Sequence, residues 1–336
     1  MKKPTRREFL KSTVLGAVGT GMALSALSSR GVLAEQQPTA ERRSYVAGRH
    51  AIFLDGEMAG WLQSVEGGQA AGDAIAGRLG QYPVETKHIA GVKYEDITLT
   101  CGTGMSPHFY EWITATTNSQ YLRKSGQIVT CDENFKPMSA LDFSNAIMTE
   151  VGFPALDAAS KDAAKMTIKM RPEWTRINAR PGGSVSGMTN TKAQKKWLPA
   201  NFRLQIAGLD CTRVNKIEAI TVKQKVVESP VGASRGYQKE SANVEVSKLV
   251  FTLPDVQAES FYKEAVGKRG PGNRKTGQLD YLSEDMRESL FTLKFTELVA
   301  VSLTPDKTGA GNETIRRVKV EMYSERMQFA FGKPWA

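Results

Sequence analysis

The chain repeats itself at a long period. Phe109-Tyr110 recurs 152 residues later as Phe261-Tyr262, Leu141-x-Phe143-Ser144 as Leu293-x-Phe295-Thr296, and Met170-x-x-Glu173 as Met322-x-x-Glu325. Ile97-x-Leu99-Thr100 answers to Leu249-x-Phe251-Thr252, Gly56 to Gly208, and Val65-Glu66 to Ile217-Glu218. Ser125-Gly126-Gln127 matches Thr276-Gly277-Gln278 at an offset of 151, which needs one small gap. A single dipeptide match is chance; a nearly constant offset held over about 120 residues is not, and so long a period excludes solenoid repeats of roughly 20–50 residues. The pattern predicts two copies of a whole domain, and 336 residues accommodate two domains of ordinary size. We place the first repeat at 50–177, a linker at 178–200 around Arg180-Pro181-Gly182-Gly183-Ser184, and the second repeat at 201–331. A polar stretch at 35–49 reads as a flexible arm.

Each repeat reads as several short strands around one helix. His50-Ala51-Ile52-Phe53-Leu54 leads into the turn dipeptide Asp55-Gly56, and Trp61 to Val65 resumes an extended run. Asp96 to Cys101 alternates polar and apolar residues at period two, the mark of a half-buried strand. Gly102-Thr103-Gly104 breaks it, and Ser106-Pro107 opens a helix with a capping residue followed by proline at the first helical position. Phe109, Trp112 and Ile113 form the buried stripe of that helix. Gly126 to Cys131, Ala140 to Ile147 and Met166 to Met170 are further strands. The second repeat follows the same order: a strand at Lys248 to Leu253, a helix from Pro254-Asp255 with Phe261, Tyr262 and Ala265 inside, then strands at Leu279–Tyr281, Phe291–Val301 and Val318–Tyr323. The expected fold is α+β, mainly β: two tandem barrel or sandwich domains, each with one flanking helix. Gly67–Val92 and Ala219–Val244, rich in Gly, Ala, Ser, Lys and Gln, read as long, partly mobile connections.

The N-terminus carries an export signature. Arg6-Arg7-x-Phe9-Leu10-Lys11 has the form of a twin-arginine signal, and the apolar run Ser12–Leu27 is too short for a membrane span. Small residues around Val32-Leu33-Ala34 place cleavage after Ala34, so the protein is expected to reach the periplasm or the extracellular space without a stable membrane span. The formal charge of +10 then shrinks. Residues 1–34 hold six basic side chains and one acidic one, leaving 39 basic against 34 acidic, or +5. That modest excess does not make a nucleic-acid-binding face.

Candidates for chemistry are few. Three cysteines and three histidines limit metal and redox sites, and no CxxC spacing occurs. Cys101 corresponds to Leu253 in the second repeat, which favours a buried apolar role; pairing of Cys101 with Cys131 in an oxidising compartment stays open, with Cys211 left over. No spacing supports a site made from His88, His108 and Cys101, and His108 beside Pro107 reads as solvated, as His50 carries no motif. Gly102-Thr103-Gly104 resembles half a phosphate loop but lacks a basic partner. The basic run Lys268–Lys275 reads as a solvated loop, with an anion-binding or subunit-contacting loop as the alternative. Trp112 and Trp174 are expected to pack. No catalytic, cofactor-binding or metal-binding residue is assigned, and no cofactor.

Several segments of the first repeat resemble the bacteriophage contractile tail tube protein family. They are Phe53-Leu54-Asp55-Gly56, Ala59-Gly60-Trp61, Ser64-Val65-Glu66-Gly67, and His88-Ile89-Ala90-Gly91-x-Lys93-Tyr94-x-Asp96-Ile97-Thr98-Leu99. Phe109-Tyr110-Glu111-Trp112, Ser125-Gly126-Gln127-Ile128 and Leu141-Asp142-Phe143 follow in the family's order, so that the resemblance spans roughly 50–177. The second repeat departs more: Glu245-Val246 stands at the Lys-Tyr segment and the helix tryptophan is lost. The family is similar to the ring protein of type VI secretion. The resemblance implies tail-tube-like barrels that form six-membered rings and stack into a tube, with the long loops at Gly67–Val92 and Ala219–Val244 mediating stacking and with no catalytic residues. Two domains per chain then predict self-association, a trimer with six domains being favoured over a hexamer with twelve, with other tail-like assembly proteins as further candidate partners. The competing class is a periplasmic cofactor- or metal-binding protein exported in its folded state.

Overall fold

The computed structural model describes residues 48–78, 85–179, 181, 185, 197–230, 237–267, 274–306 and 315–332. The residues expected to form an export signal, Arg6, Arg7, Phe9, Leu10 and Lys11, and the expected cleavage after Ala34 lie outside the described residues. The segment expected to be the first repeat, called the first repeat below as its successor is called the second, contains β1 (Arg49–Leu54), β2 (Glu57–Gly67), β3 (Ala70–Arg78), β4 (Glu85–Tyr94), β5 (Ile97–Cys101), helix α1 (Pro107–Thr117), β6 (Arg123–Cys131), β7 (Pro137–Phe153), β8 (Leu156–Asp157), β9 (Met166–Arg171) and β10 (Trp174–Asn178). The second contains β11 (Phe202–Ile206), β12 (Lys216–Ile217), β13 (Ile220–Pro230), β14 (Tyr237–Val246), β15 (Leu249–Pro254), helix α2 (Glu259–Gly267), β16 (Lys275–Leu282), β17 (Ser289–Pro305), β18 (Arg317–Tyr323) and β19 (Arg326–Phe331).

Local chemistry explains the elements that position the rest. Asp55 and Gly56 both take positive φ (50° and 91°), so the two-residue link between β1 and β2 is a type I′ turn, whose twist suits a hairpin. Ser106 caps α1 by accepting from the Phe109 N–H, and Pro107 occupies the first turn, where its missing N–H costs nothing. The helix buries Phe109, Tyr110, Trp112 and Ile113 completely. In the second repeat Pro254 ends β15 instead of starting a helix; a 3-10 turn at Asp255–Gln257 intervenes before α2.

The strands of the first repeat run β7-β6-β1-β2-β5-β9, and β9 pairs back onto β7, which closes a barrel; β7 runs on past Ile147, where its pairing with β6 stops. β10 also lies against β7. The second repeat orders its strands β11-β16-β17-β18-β15-β12, with β19 against β17, and β8 of the first repeat adds to β12 at the end of that sheet. The segments read as long mobile connections are strands instead. β3 and β4 form an antiparallel hairpin, as do β13 and β14. β3 is built largely of Ala and Gly and offers no buried apolar stripe, so its period-two signal is faint, whereas β13 buries Ile220, Val222 and Gln224 on one face. Gly48 already pairs with Cys131 and β1 begins at Arg49, so the expected arm ends before residue 49.

One core cluster contains buried residues from both repeats, among them Trp112, Phe153 and Ile168 from the first and Phe261, Phe291 and Phe329 from the second. Val185 and Trp197, within the stretch read as a linker, are buried as well. Trp174, expected to pack, is 44% exposed, because it faces outward from β10 at the barrel's surface. No helix of the described residues is long and apolar enough to cross a membrane.

Candidate assembly interface

The two repeats meet along a seam that is itself a sheet. The start of β13 adds to β7 in antiparallel register: Ile220 with Phe153, Thr221 with Gly152, Val222 with Val151 and Lys223 with Glu150. Thr221 donates its N–H to Ser247 Oγ (2.9 Å), and its carbonyl accepts the Ser247 N–H (2.8 Å), so it faces β14. Alternation along the strand then turns the backbone groups of Ile220 and Val222 toward β7. The hairpin of the second repeat thus extends the barrel sheet of the first, and Val222 and Gln224 are buried there.

Charge fixes the hairpin farther out. Lys239 on β14 is buried and donates from Nζ to the Pro172 carbonyl (2.7 Å), with Glu228 at 4.0 Å. Arg123 Nη2 donates to the Lys239 carbonyl (2.6 Å), while its Nη1 pairs with Glu173 (3.0 Å). Arg171 grips Asp96 through two bonds of 2.6 and 3.0 Å and lies 3.8 Å from Glu228. Burial lowers the Lys239 pKa from its usual value, and the hydrogen bond to Asp96 raises that of Arg171. The bonds from Lys239 to the Pro172 carbonyl and from Arg123 to the Lys239 carbonyl bridge the repeats and are charge-assisted, the strong kind, while the bidentate Arg171–Asp96 pair lies within the first repeat and holds Arg171 near Glu228.

Aromatic rings complete the seam. Tyr110 of α1 stacks on Phe329 (6.2 Å, 17°) and Phe331 (5.4 Å, 21°) of β19. Phe153 at the end of β7 stacks on Phe329 as well (5.6 Å, 27°). Trp197 meets Phe291 edge-on at 4.9 Å. The Tyr110 hydroxyl donates to the Thr103 carbonyl (2.8 Å), so Gly102-Thr103-Gly104 serves as a strand-to-helix turn that anchors this ring.

The candidate chemical residues are dispersed. Cys101, Cys131 and Cys211 are free and buried; Cys101 lies in the main core and Cys131 in a separate small cluster with Val185, which keeps the two thiols apart. Burial pushes the Cys101 and Cys211 thiols up to about 12 and raises Cys131. The thiolate needed for attack or metal binding is therefore suppressed. His50 contacts Thr130 Oγ1 (3.1 Å), with its pKa lowered by burial. His108 is exposed between Glu57 (3.0 Å) and Glu111 (3.3 Å), and His88 is exposed on β4. Among the described residues no group of three or more His, Cys, Asp or Glu could hold a metal ion. Of the basic run, Arg274 pairs with Glu297 (2.9 Å) and Glu325 (3.1 Å). Sequence reasoning missed the seam; the alternation Ile220-x-Val222-x-Gln224 with a lysine at 239 was the available signal.

A closed, mainly β domain with one flanking helix, joined to its neighbour by an added hairpin, defines a structural module. Residues 47–175 match the family model described as T4-like virus tail tube protein gp19. That match covers the first repeat, from β1 into β10. Parts of the chain are also similar to solved structures. A chain of the sheath–tube complex of the extracellular contractile injection system PVC, in its extended state, is 23% identical, with 41% of this chain and 94% of that one covered and a TM-score of 0.37. A chain of the anti-feeding prophage cap is 24% identical, with 44% and 99% covered and a TM-score of 0.38. Hcp1 from Flavobacterium johnsoniae is 16% identical, with 39% and 95% covered and a TM-score of 0.26. No curated protein matches the chain.

Proposed function

We propose that the protein is a non-catalytic structural subunit: a tandem duplication of a tail-tube-like domain, exported folded through the twin-arginine route, that assembles into rings of six domains from three chains and stacks them into a conduit or scaffold. The observation that carries this is the seam within the chain. One tail-tube-like unit already adds a strand to another, and an added strand is a join that can be repeated around a closed ring. Duplication is supported by registers that coincide at an offset of 152. β7 pairs Ile147 with Arg171 and Val151 with Ile168, while β17 pairs Val299 with Tyr323 and Leu303 with Val320; both strands carry a bulge at the same place. Native mass spectrometry of the chain lacking residues 1–34 tests the reading. A trimer is expected, with rings or tubes visible by negative-stain microscopy; a stable monomer at micromolar concentration overturns it.

A further inference from the structure

We propose that the hairpin β3–β4 pairs with the outer edge of β17 in a second copy of this chain, in the register Gly68 with Pro305, Gln69 with Thr304, Ala70 with Leu303 and Ala71 with Ser302. The inference rests on the ring reading above and names its intermolecular joint. It follows from applying the offset of 152 to the seam inside the chain, where Ile220–Lys223 add to Glu150–Phe153. Subtracting the offset from the first segment gives residues 68–71, and adding it to the second gives 302–305.

Gly68 is buried against Leu141 and Ile97 of its own barrel, but from Gln69 onward the hairpin edge is open, and so is the β17 edge. On one side β17 pairs β16 as far as Leu298; on its other side it pairs β19 and then β18 through Pro305. The β16 side of residues 302–305 therefore has no strand partner among the described residues, whereas the same side of β7 is filled by β13. The hairpin β3–β4 forms a two-stranded sheet with no third strand among the described residues. A two-stranded ribbon is marginal by itself and gains from a third strand.

Exposure marks the same halves as unpaired. Val222 is 1% exposed and Lys239 5%, while their counterparts Ala70 and Lys87 are exposed. On the helices, Tyr110 is fully buried against Phe329, while its counterpart Tyr262 is only half-buried. The counterpart of Phe329 is Ile177 on β10, which is 66% exposed. In the joint, Tyr262 and Pro305 of one chain cover Ile177 of the next, as Tyr110 and Phe153 cover Phe329 within the chain. Tyr262, Pro305 and the β17 edge lie on one side of the joint, and the hairpin with Ile177 on the other. The contact is head-to-tail, the kind that closes into rings.

The backbone fits one departure between the repeats. Pro305 has no N–H to offer where Phe153 has one, and the carbonyl it would have met, that of Gly68, already accepts Thr175 Oγ1 (2.6 Å). The Gln69 carbonyl accepts the Glu95 N–H (2.9 Å), so Gln69 faces β4 and stands opposite Thr304 as a non-hydrogen-bonded pair. Such pairs have Cα atoms about 4.5 Å apart, within the span a disulfide bridges.

The test is a double variant of the chain lacking residues 1–34, Gln69→Cys with Thr304→Cys, both at exposed positions, oxidised mildly and run on a non-reducing gel. The native cysteines are buried and stay silent. Covalent dimers and trimers are expected in the double variant and in neither single variant. A shifted pair, Gln69→Cys with Leu303→Cys, should not link, because adjacent residues point to opposite faces. If native mass spectrometry shows the double variant as a trimer and oxidation leaves it unlinked, this joint is wrong while the ring reading stands. If no oligomer forms in the unmodified chain, the ring reading fails and the joint with it. Ile177→Asp gives a second readout: trimer dissociation at least tenfold easier, with an unchanged circular-dichroism spectrum of the monomer; unchanged trimer stability overturns the joint.

Discussion

Phe329→Ala tests whether the two repeats are one folding unit. The ring is 2% exposed and contacts Tyr110, Phe153 and Phe291 at 6.2, 5.6 and 5.8 Å. Truncating a buried phenylalanine costs about 3–5 kcal/mol, and three ring contacts worth about 0.5–1.5 kcal/mol each place this site toward the upper end. A domain is stable by only about 5–15 kcal/mol, so the loss is a large fraction. Two of the three partners belong to the first repeat, so the effect must cross the seam. We expect urea unfolding to remain a single transition at a lower midpoint, and hydrogen exchange to accelerate in α1 as much as in β19. Ile177→Ala changes the equivalent position of the first repeat at 66% exposure, and should cost under about 0.5 kcal/mol within one chain. Any larger effect there must depend on protein concentration. A biphasic melt of Phe329→Ala, with α1 exchange unchanged, would refute the shared core.

Stability should fall as pH rises from 9 toward about 12, because the folded state holds the Cys101 and Cys211 thiols protonated while the unfolded chain releases those protons near 9. Cys101→Ala with Cys211→Ala should flatten that decline in urea melts taken across the same pH range. Gly126→Ala should destabilise by about 1–3 kcal/mol or more, since a Cβ there would lie 2.0 Å from the Phe53 carbonyl oxygen in the adjoining strand; an unchanged thermal midpoint would contradict the register of β1 against β6. Arg6→Lys with Arg7→Lys should retain the precursor in the cytoplasm, and the exported wild-type chain should begin at Glu35 by mass spectrometry.

Much of each barrel is written in local signals. Ser106-Pro107 fixed the start of α1 by chemistry confined to four residues, and Asp55-Gly56 marked its turn because two positive φ values demand such a pair. The strand at Ile97–Cys101 announced itself by burying alternate residues. The hairpin β3–β4 hid because Ala70, Ala71 and Gly72 are exposed and offer no apolar face. The seam hid for a different reason. Lys239 looks like a solvated lysine in any window of sequence, and only the Pro172 carbonyl, 67 residues away, makes it a buried anchor. Trp174 misled in the opposite sense, since a large aromatic residue on an outer strand is free to face solvent.

The stacking of Tyr110 on Phe329 and Phe331 also sets an order in time. The Tyr110 ring of the first repeat's helix is covered by Phe291, Phe329 and Phe331, all from the second half of the chain. A ribosome making this chain therefore releases the first barrel with an uncovered aromatic face and holds it so until the last strand emerges. Contacts of such long sequence separation form slowly. The nascent first barrel is accordingly the stage at which a chaperone, or premature pairing with a neighbouring chain, would act.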